Sequence, residues 1–278
     1  MNNYAFLLAY LPSLEYSGFS KQFHDSTNIL TIVYRAFKES RLINSINDST
    51  LKIASRTDRG VGALKQVFSL YCPNIPILTE INSYLPEDIC ILGMREVSSA
   101  FNPRYNATSR TYSYFLIMEN FNLEESQKAL QYLQGTHDFK FYAKEDLKNP
   151  IKTIRTLKKI EIVSHGANTF QIRVEARSFL WHQVRRIVGH LIDISEGRYN
   201  SDHTLNLLNK TVDWPRPPLA PSTGLILEDI SYPELSFKID QKSLNNFLNT
   251  IKANLIKFKR IEQVNLFFYA NIDQKTKS

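Results

Sequence analysis

Only two cysteines, Cys72 and Cys90, occur in 278 residues. Two thiols in a chain of this length build neither a disulfide framework nor a zinc cluster. Their apolar neighbours mark them as buried thiols of a reducing compartment. His137, His165, His182 and His190 show no metal-like spacing with those cysteines, so no metal centre is expected. A phosphate-binding glycine loop is missing as well, and no internal repeat is present. The N-terminal apolar run, Tyr4 to Leu11, has no basic lead and no small-residue cleavage site. It is too short for a signal core with a processing site and far too short to cross a bilayer. The expectation is a cytoplasmic protein without membrane association.

What is present is ordinary for a globular domain: 43% hydrophobic and 22% charged residues, enough chain to bury a full core. The net charge of +7 and pI near 9.2 suit a polyanionic partner, although charge speaks about association and not about fold. Hydrophobic periodicity sets the elements. Tyr4 to Tyr10 reads as a buried strand. Ile29, Ile32, Val33, Ala36 and Phe37 form the stripe of a helix over Asn28–Ile43, with Ser26, Thr27 and Asn28 offering N-cap oxygens. Val67 to Cys72 reads as a strand stopped by Pro73, and Arg110 to Ile117 as a strand with Arg110, Tyr112 and Tyr114 on one face.

Leu123 to Gln134 reads as a helix ended by Gly135. Leu157–Val163 and Thr169–Ala176 alternate as a hairpin turned through residues 165–168. Trp181 to Ser195 predicts a third helix, Leu225 to Ile230 a strand, and the segment from Glu234 onward a helical stripe (Leu244, Phe247, Leu248, Ile251, Leu255) followed by an apolar stretch, Val264–Tyr269. The order implies an α+β sheet with helices on one side, in two similar halves, 1–103 and 104–278.

The most informative stretch is Ser55-Arg56-Thr57-Asp58-Arg59-Gly60-Val61-Gly62-Ala63. One carboxylate lies between two arginines, in a loop whose glycines let backbone approach a ligand. Taken alone, it is also compatible with a solvated turn holding a local ion pair. Other segments join it in order: Gly18-Phe19-Ser20-Lys21-Gln22, Asn82-Ser83-Tyr84-Leu85-Pro86, Arg104-Tyr105-Asn106-Ala107 with Arg110-Thr111-Tyr112-Ser113-Tyr114, Gly135-Thr136-His137-Asp138-Phe139, Thr153-Ile154-Arg155, Phe179 to Gly189, and Ala220-Pro221 through Gly224-Leu225. Together, over residues 18–225, they resemble the TruA-type tRNA pseudouridine synthases, the tRNA pseudouridine 38–40 synthases. The chain departs from that pattern at Ser20, usually glutamine, at Ser55, usually glycine, and at Gly62, usually histidine.

The resemblance implies a pseudouridine synthase fold: two α/β halves on a mixed or antiparallel sheet, with a basic cleft between them. It implies an isomerase that converts uridine to pseudouridine at positions 38–40 of the tRNA anticodon stem-loop, without a cofactor, as a homodimer whose subunits both touch one tRNA. Asp58 is the implied nucleophile, Arg185 its partner cation, and Tyr112 the residue that stacks on the uracil and assists proton removal. Arg56, Arg59, Lys21, Gln22, Arg104, Arg110 and Arg186 are the implied RNA contacts, Arg56 filling the space vacated by the base. The histidines are expected to be structural or RNA-facing.

From the residues themselves, Arg185 lies at the border of the stripe Val184, Ile187, Val188, Leu191, Ile192, half buried, while Arg186 points away. Gly189 one turn on leaves space beside Arg185. Both arginines could equally snorkel to the surface, and Tyr112 and Tyr114 could be plain core aromatics, the better reading for Tyr114. Two other functions fit parts of the pattern. A non-catalytic RNA-binding protein on the same scaffold would bind tRNA and leave uridine unchanged. A glycoside hydrolase would need a second carboxylate, which the loop does not offer.

Overall fold

The computed structural model describes residues 1–21, 25, 27–43, 51–144, 152–166, 168–210 and 215–276, the last four of these as backbone only. Gln22, Ser26 and Ala167 lie outside the described residues. In chain order the elements are β1 (Asn2–Tyr10), α1 (Ile29–Glu39), β2 (Lys52–Ile53), β3 (Gly62–Cys72), α2 (Leu78–Asn82), β4 (Ile89–Val97) and β5 (Ser109–Ile117). Then follow α3 (Leu123–Leu133), β6 (Gly135–Asp138), β7 (Ile154–Ser164), β8 (Thr169–Ala176), α4 (Gln183–Ser195), α5 (His203–Asn209), β9 (Leu225–Ser231), β10 (Lys238–Ile239) and α6 (Gln241–Thr276). The fold is α+β: one mostly antiparallel sheet in the order β10-β4-β1-β3-β9-β5-β8-β7-β6, with β2 paired to β3.

Two strand sets meet at the centre of that sheet. β1, β3 and β4 pair antiparallel, and so do β5, β7 and β8. They are joined by β9, antiparallel to β5 but parallel to β3 over just two positions, Gly62↔Ile226 and Ala63↔Leu227. The seam therefore sits where the 55–63 loop enters β3. The expected division near Asn102–Pro103 falls in the connection between β4 and β5. The segment after Glu234, grouped with the second half, runs back to the first: β10 pairs with β4, and Asn82 Nδ2 donates to Ser243 Oγ at 2.8 Å.

Local chemistry explains most boundaries. Asn28 caps α1, its side chain accepting from the Leu30 amide at 3.0 Å, one of the orphan donors at a helix start. The predicted helix was longer, to Ile43; it stops at Glu39 because Ser40 and left-handed Arg41 turn the chain. Phe37 of α1 meets Phe6 edge-on at 5.0 Å, and Phe6 stacks on Phe68 at 4.9 Å, fixing α1 over β1 and β3. Burying such a ring stabilises the fold by roughly 1.5–3 kcal/mol. The 165–168 hairpin turn forms as expected, with Gly166 and Asn168 at positive φ and the His165 amide bonded to Thr169 O. Cys72 and Cys90 are buried, and burial pushes both thiols up to about 12.

α4 is held from beneath by His190, which shares a 2.9 Å hydrogen bond with Thr204 Oγ1 of α5 and meets the Tyr142 ring edge-on at 5.7 Å. Burial, reinforced by the neighbouring His203, pushes this imidazole down to about 3. The unfolded chain binds a proton on it below about pH 6.5, which the folded chain refuses. Stability should therefore fall as pH drops from about 6.5 towards about 3, by up to about 1.4 kcal/mol per pH unit for this proton. Urea unfolding at stepped pH should show that slope reduced in His190→Gln; an unchanged slope would assign the acid sensitivity to other groups.

Candidate active site

The 54–61 loop is stitched to the body before any ligand is considered. Phe19 and Thr57 exchange backbone hydrogen bonds at 3.0 and 3.2 Å. The exchange requires Gly18, at φ +105°, since a Cβ there would lie 2.4 Å from Thr57 O. Tyr10 and Thr57 share a hydroxyl hydrogen bond of 2.8 Å inside the core. The Val61 amide closes the turn on Asp58 O at 3.2 Å, and Gly60 takes φ +85°.

Arg110 carries the other side of the loop. It is 6% exposed, and its guanidinium donates to Ser55 Oγ, Ala54 O, Arg104 O and Arg177 O. One planar fork thus ties the loop to the β4–β5 connection and to the end of β8, which a point-charge ammonium cannot do. Ser55, a departure from the family pattern, supplies one of those acceptors.

Asp58 emerges from this support with its side chain 30% exposed. Three groups from one short stretch surround it. The Trp181 indole Nε1 donates to Oδ1 at 3.1 Å, Arg185 Nη1 donates to Oδ2 at 3.3 Å, and His182 Nε2 lies 3.3 Å from Oδ2. The stretch converges because α4 starts two residues later than its periodicity suggests. His182 is its N-cap at φ +68°, a left-handed conformation that is costly for a residue with a Cβ, and the turn places both rings beside the loop. Burial, with Arg185, Lys144 and Arg186 adding repulsion, pushes the His182 imidazole down despite the adjacent carboxylate.

Arg185 itself is braced. Its Nε donates to Ala220 O at 2.8 Å, and the Ala220 amide returns a bond to Arg185 O at 3.2 Å. The space that Gly189 leaves is filled by the Pro218 carbonyl, 2.0 Å from where a Cβ would stand. A cation at this distance attracts a carboxylate by about 4 kcal/mol in a surface-like dielectric, much of it offset by desolvation. The arrangement fixes the direction of the carboxylate through two donors, with the His182 ring beside them.

Comparisons with known proteins identify the family. A family model described as tRNA pseudouridine synthase matches residues 129–233. A tRNA pseudouridine synthase A of Pyrococcus furiosus is 34% identical over 243 residues, 85% of this chain and 86% of that one. The same enzyme of Pyrococcus abyssi is 33% identical, covering 89% and 91%, and that of Methanosarcina mazei 32%, covering 84% and 86%. The chain belongs to the tRNA pseudouridine synthase A family.

Within this family member, the expected residues fall into groups. Asp58 and Arg185, 127 positions apart, are brought into contact. Tyr112 is 8% exposed, packed edge-on against Phe179 at 5.1 Å, and close enough for the Asp58 charge to act on it. Burial pushes its phenol up to about 12, so it is protonated at neutral pH. Tyr114 is a core aromatic, 3% exposed. Arg56, Arg59, Lys21 and Arg104 are exposed, Arg59 Nε donating to Leu14 O at 2.8 Å.

Two expected RNA contacts need correction. Arg110 is turned inward with its donors engaged by protein acceptors, because β5 enters the sheet there. Arg186 is part-buried and donates to Pro217 O, because the 215–221 segment folds over that side of α4. Gln22 lies outside the described residues.

The sequence reading missed Trp181 and His182 as neighbours of the carboxylate, and Lys144, whose Nζ sits 4.0 Å over the Trp181 ring. Arg110→Lys keeps the charge but cannot reach four acceptors. It should lower kcat at least about tenfold, roughly 1.4 kcal/mol, with little change in tRNA affinity. A loss confined to binding would instead mean that this side chain serves the RNA.

Proposed function

We propose that this family member isomerises uridine to pseudouridine in the anticodon stem-loop of tRNA, at positions 38–40, with Asp58 as nucleophile. As a member of the tRNA pseudouridine synthase A family, the chain is an isomerase acting on tRNA. The observation that supports the residue assignment is the 3.3 Å contact between Asp58 Oδ2 and Arg185 Nη1.

The net reaction breaks the bond from ribose C1′ to uracil N1 and forms one from C1′ to C5. A proton leaves C5 and one is gained at N1, so neither an oxidant nor an energy source is consumed. A carboxylate adduct divides this change into two easier steps. Asp58 attacks as the carboxylate, with Arg185 Nη1 as its counter-charge at Oδ2. The Oδ1 atom is oriented by the Trp181 indole, which is 49% exposed. Water still reaches the carboxylate in the free protein, and a bound stem-loop would close that access.

Extracting the target base costs a few kcal/mol, and stacking on an aromatic ring returns about 1–3 kcal/mol per base. Tyr112 is the ring assigned to that role, with its hydroxyl, protonated at rest, assisting the C5 proton transfer once the base is seated. Arg56, exposed beside Asp58, supplements the stack by filling the vacated space. Arg59, Lys21 and Arg104 would meet phosphates in a basic cleft along the seam of the sheet, reading shape more than sequence. The halves 1–103 and 104–278 form its walls. The working unit is a cytoplasmic homodimer; among the described residues no helix is long and apolar enough to cross a membrane.

Asp58→Asn should abolish tritium release from tRNA labelled at uridine C5 while leaving tRNA affinity within about threefold, under 1 kcal/mol. Arg185→Ala should reduce turnover at least about a hundredfold, roughly 2.7 kcal/mol. Turnover near the parent's in Asp58→Asn would remove the nucleophile assignment.

A further inference from the structure

The helix α6 carries an apolar surface that its own chain does not cover. Its root is seated on the body: Phe247 is 5% exposed, and Leu244 and Ile251 pack against the core. The same face continues at helical spacing through Leu255, Phe258, Leu266 and Tyr269, all 54–74% exposed. From Leu248 to Ile272 eleven large apolar side chains are at least 42% exposed. The four aromatic rings among them, each about two-thirds exposed, leave on the order of 500 Å² uncovered. That alone reaches the largest patch of a typical monomer, about 300–600 Å². With the seven aliphatic side chains the total passes roughly 1,000 Å², against about 800 Å² per partner in a standard interface. Helices without packing are marginal in water, so the surface calls for a cover.

We propose that the cover is the α6 of a second copy, crossing antiparallel about a two-fold axis. Along the bare face, the apolar pattern is broken by Glu262 and Asn265. In an antiparallel register that sets Phe258 against Tyr269 of the partner subunit, Leu255 meets Ile272 of the partner subunit. Glu262 then meets Asn265 of the partner subunit, and each polar interruption finds the other, a device that fixes register in helix pairs. A parallel in-register pair would instead oppose Glu262 to its own copy.

Charge favours the same direction. Lys252, Lys257, Lys259 and Arg260 crowd the root side, whereas residues 261–272 carry Glu262 as their one charge. Antiparallel pairing lays the cationic half of one helix beside the apolar half of the other.

A bilayer is the less suitable cover. Leu266, Phe267, Phe268 and Tyr269 are consecutive, so they point about 100° apart around the axis. A membrane surface covers one side of a helix and needs a polar opposite face, whereas a partner helix and its body cover two.

The inference rests on the homodimer reading and names its surface; its test reads mass, not turnover. Light scattering on the full chain should give a dimer. Phe258→Asp with Tyr269→Asp should give a monomer whose body still unfolds in one cooperative transition. Leu255→Cys with Ile272→Cys should oxidise to a covalent dimer, and Leu255→Cys alone should not, because two copies of that position are about 25 Å apart along the axis. A dimer that survives the aspartates would overturn this surface while leaving homodimerisation intact. Cross-linking by Leu255→Cys alone would overturn the direction. A monomeric parent that binds phosphatidylcholine–phosphatidylserine vesicles would overturn the proposal in favour of a lipid surface.

Discussion

One carboxylate facing two donors and an imidazole organises the centre of this molecule. Asp58 is supplied by a loop of the first half, and Trp181, His182 and Arg185 by the start of a helix in the second. A carboxylate of this kind serves chemistry only if it is held in place, since a misplacement of about an ångström can cost roughly a hundredfold in rate. The surrounding structure supplies that immobility. Gly18 admits the loop to a backbone bridge, Arg110 clamps it from beneath, and the Ala220 carbonyl fixes the guanidinium of Arg185.

The sheet explains why a site can be assembled from such distant segments. β9 arrives from the second half and pairs with both β5 and β3, so the two strand sets share a rigid seam at the loop's exit. The parallel pairing is short, and the side-chain ties across it carry correspondingly more. Arg110 is the main one: it is buried, without a carboxylate partner, and satisfied by neutral oxygens alone. Such a group is expensive to bury and expensive to remove. Its value is geometric, because it couples the Asp58 loop to the strand that carries Tyr112.

Two interruptions of regular structure are also informative. His182 takes a left-handed backbone at the entry to α4, and this turn aims two rings at Asp58 that a straight helix would carry elsewhere. At the far end of the chain, α6 shows the opposite situation, a regular helix whose large apolar side chains beyond Ile251 stand mostly exposed. The first is local strain held by tertiary packing, the second a regular element on which tertiary packing is sparse.

Much of this was legible in the residues. Alternating and helical periodicity located β1, α1, β5, α3, β7, β8, α4 and β9, because each buries one face and its pattern records that face. The loop at 55–63 and its companions identified the family and, by resemblance, the pair Asp58 and Arg185. No element was read between Cys72 and Arg110, so β4 was missed, as were the short β6, α5 and β10, whose few residues hold too little pattern to exceed chance. Nor could the sequence separate Arg110 and Arg186 from surface cations, or find Trp181 and His182 beside Asp58. Local order along a chain fixes which residues share a face. Which faces meet, and which charges are then enclosed, depends on closures over more than a hundred residues, and only the folded sheet settles those.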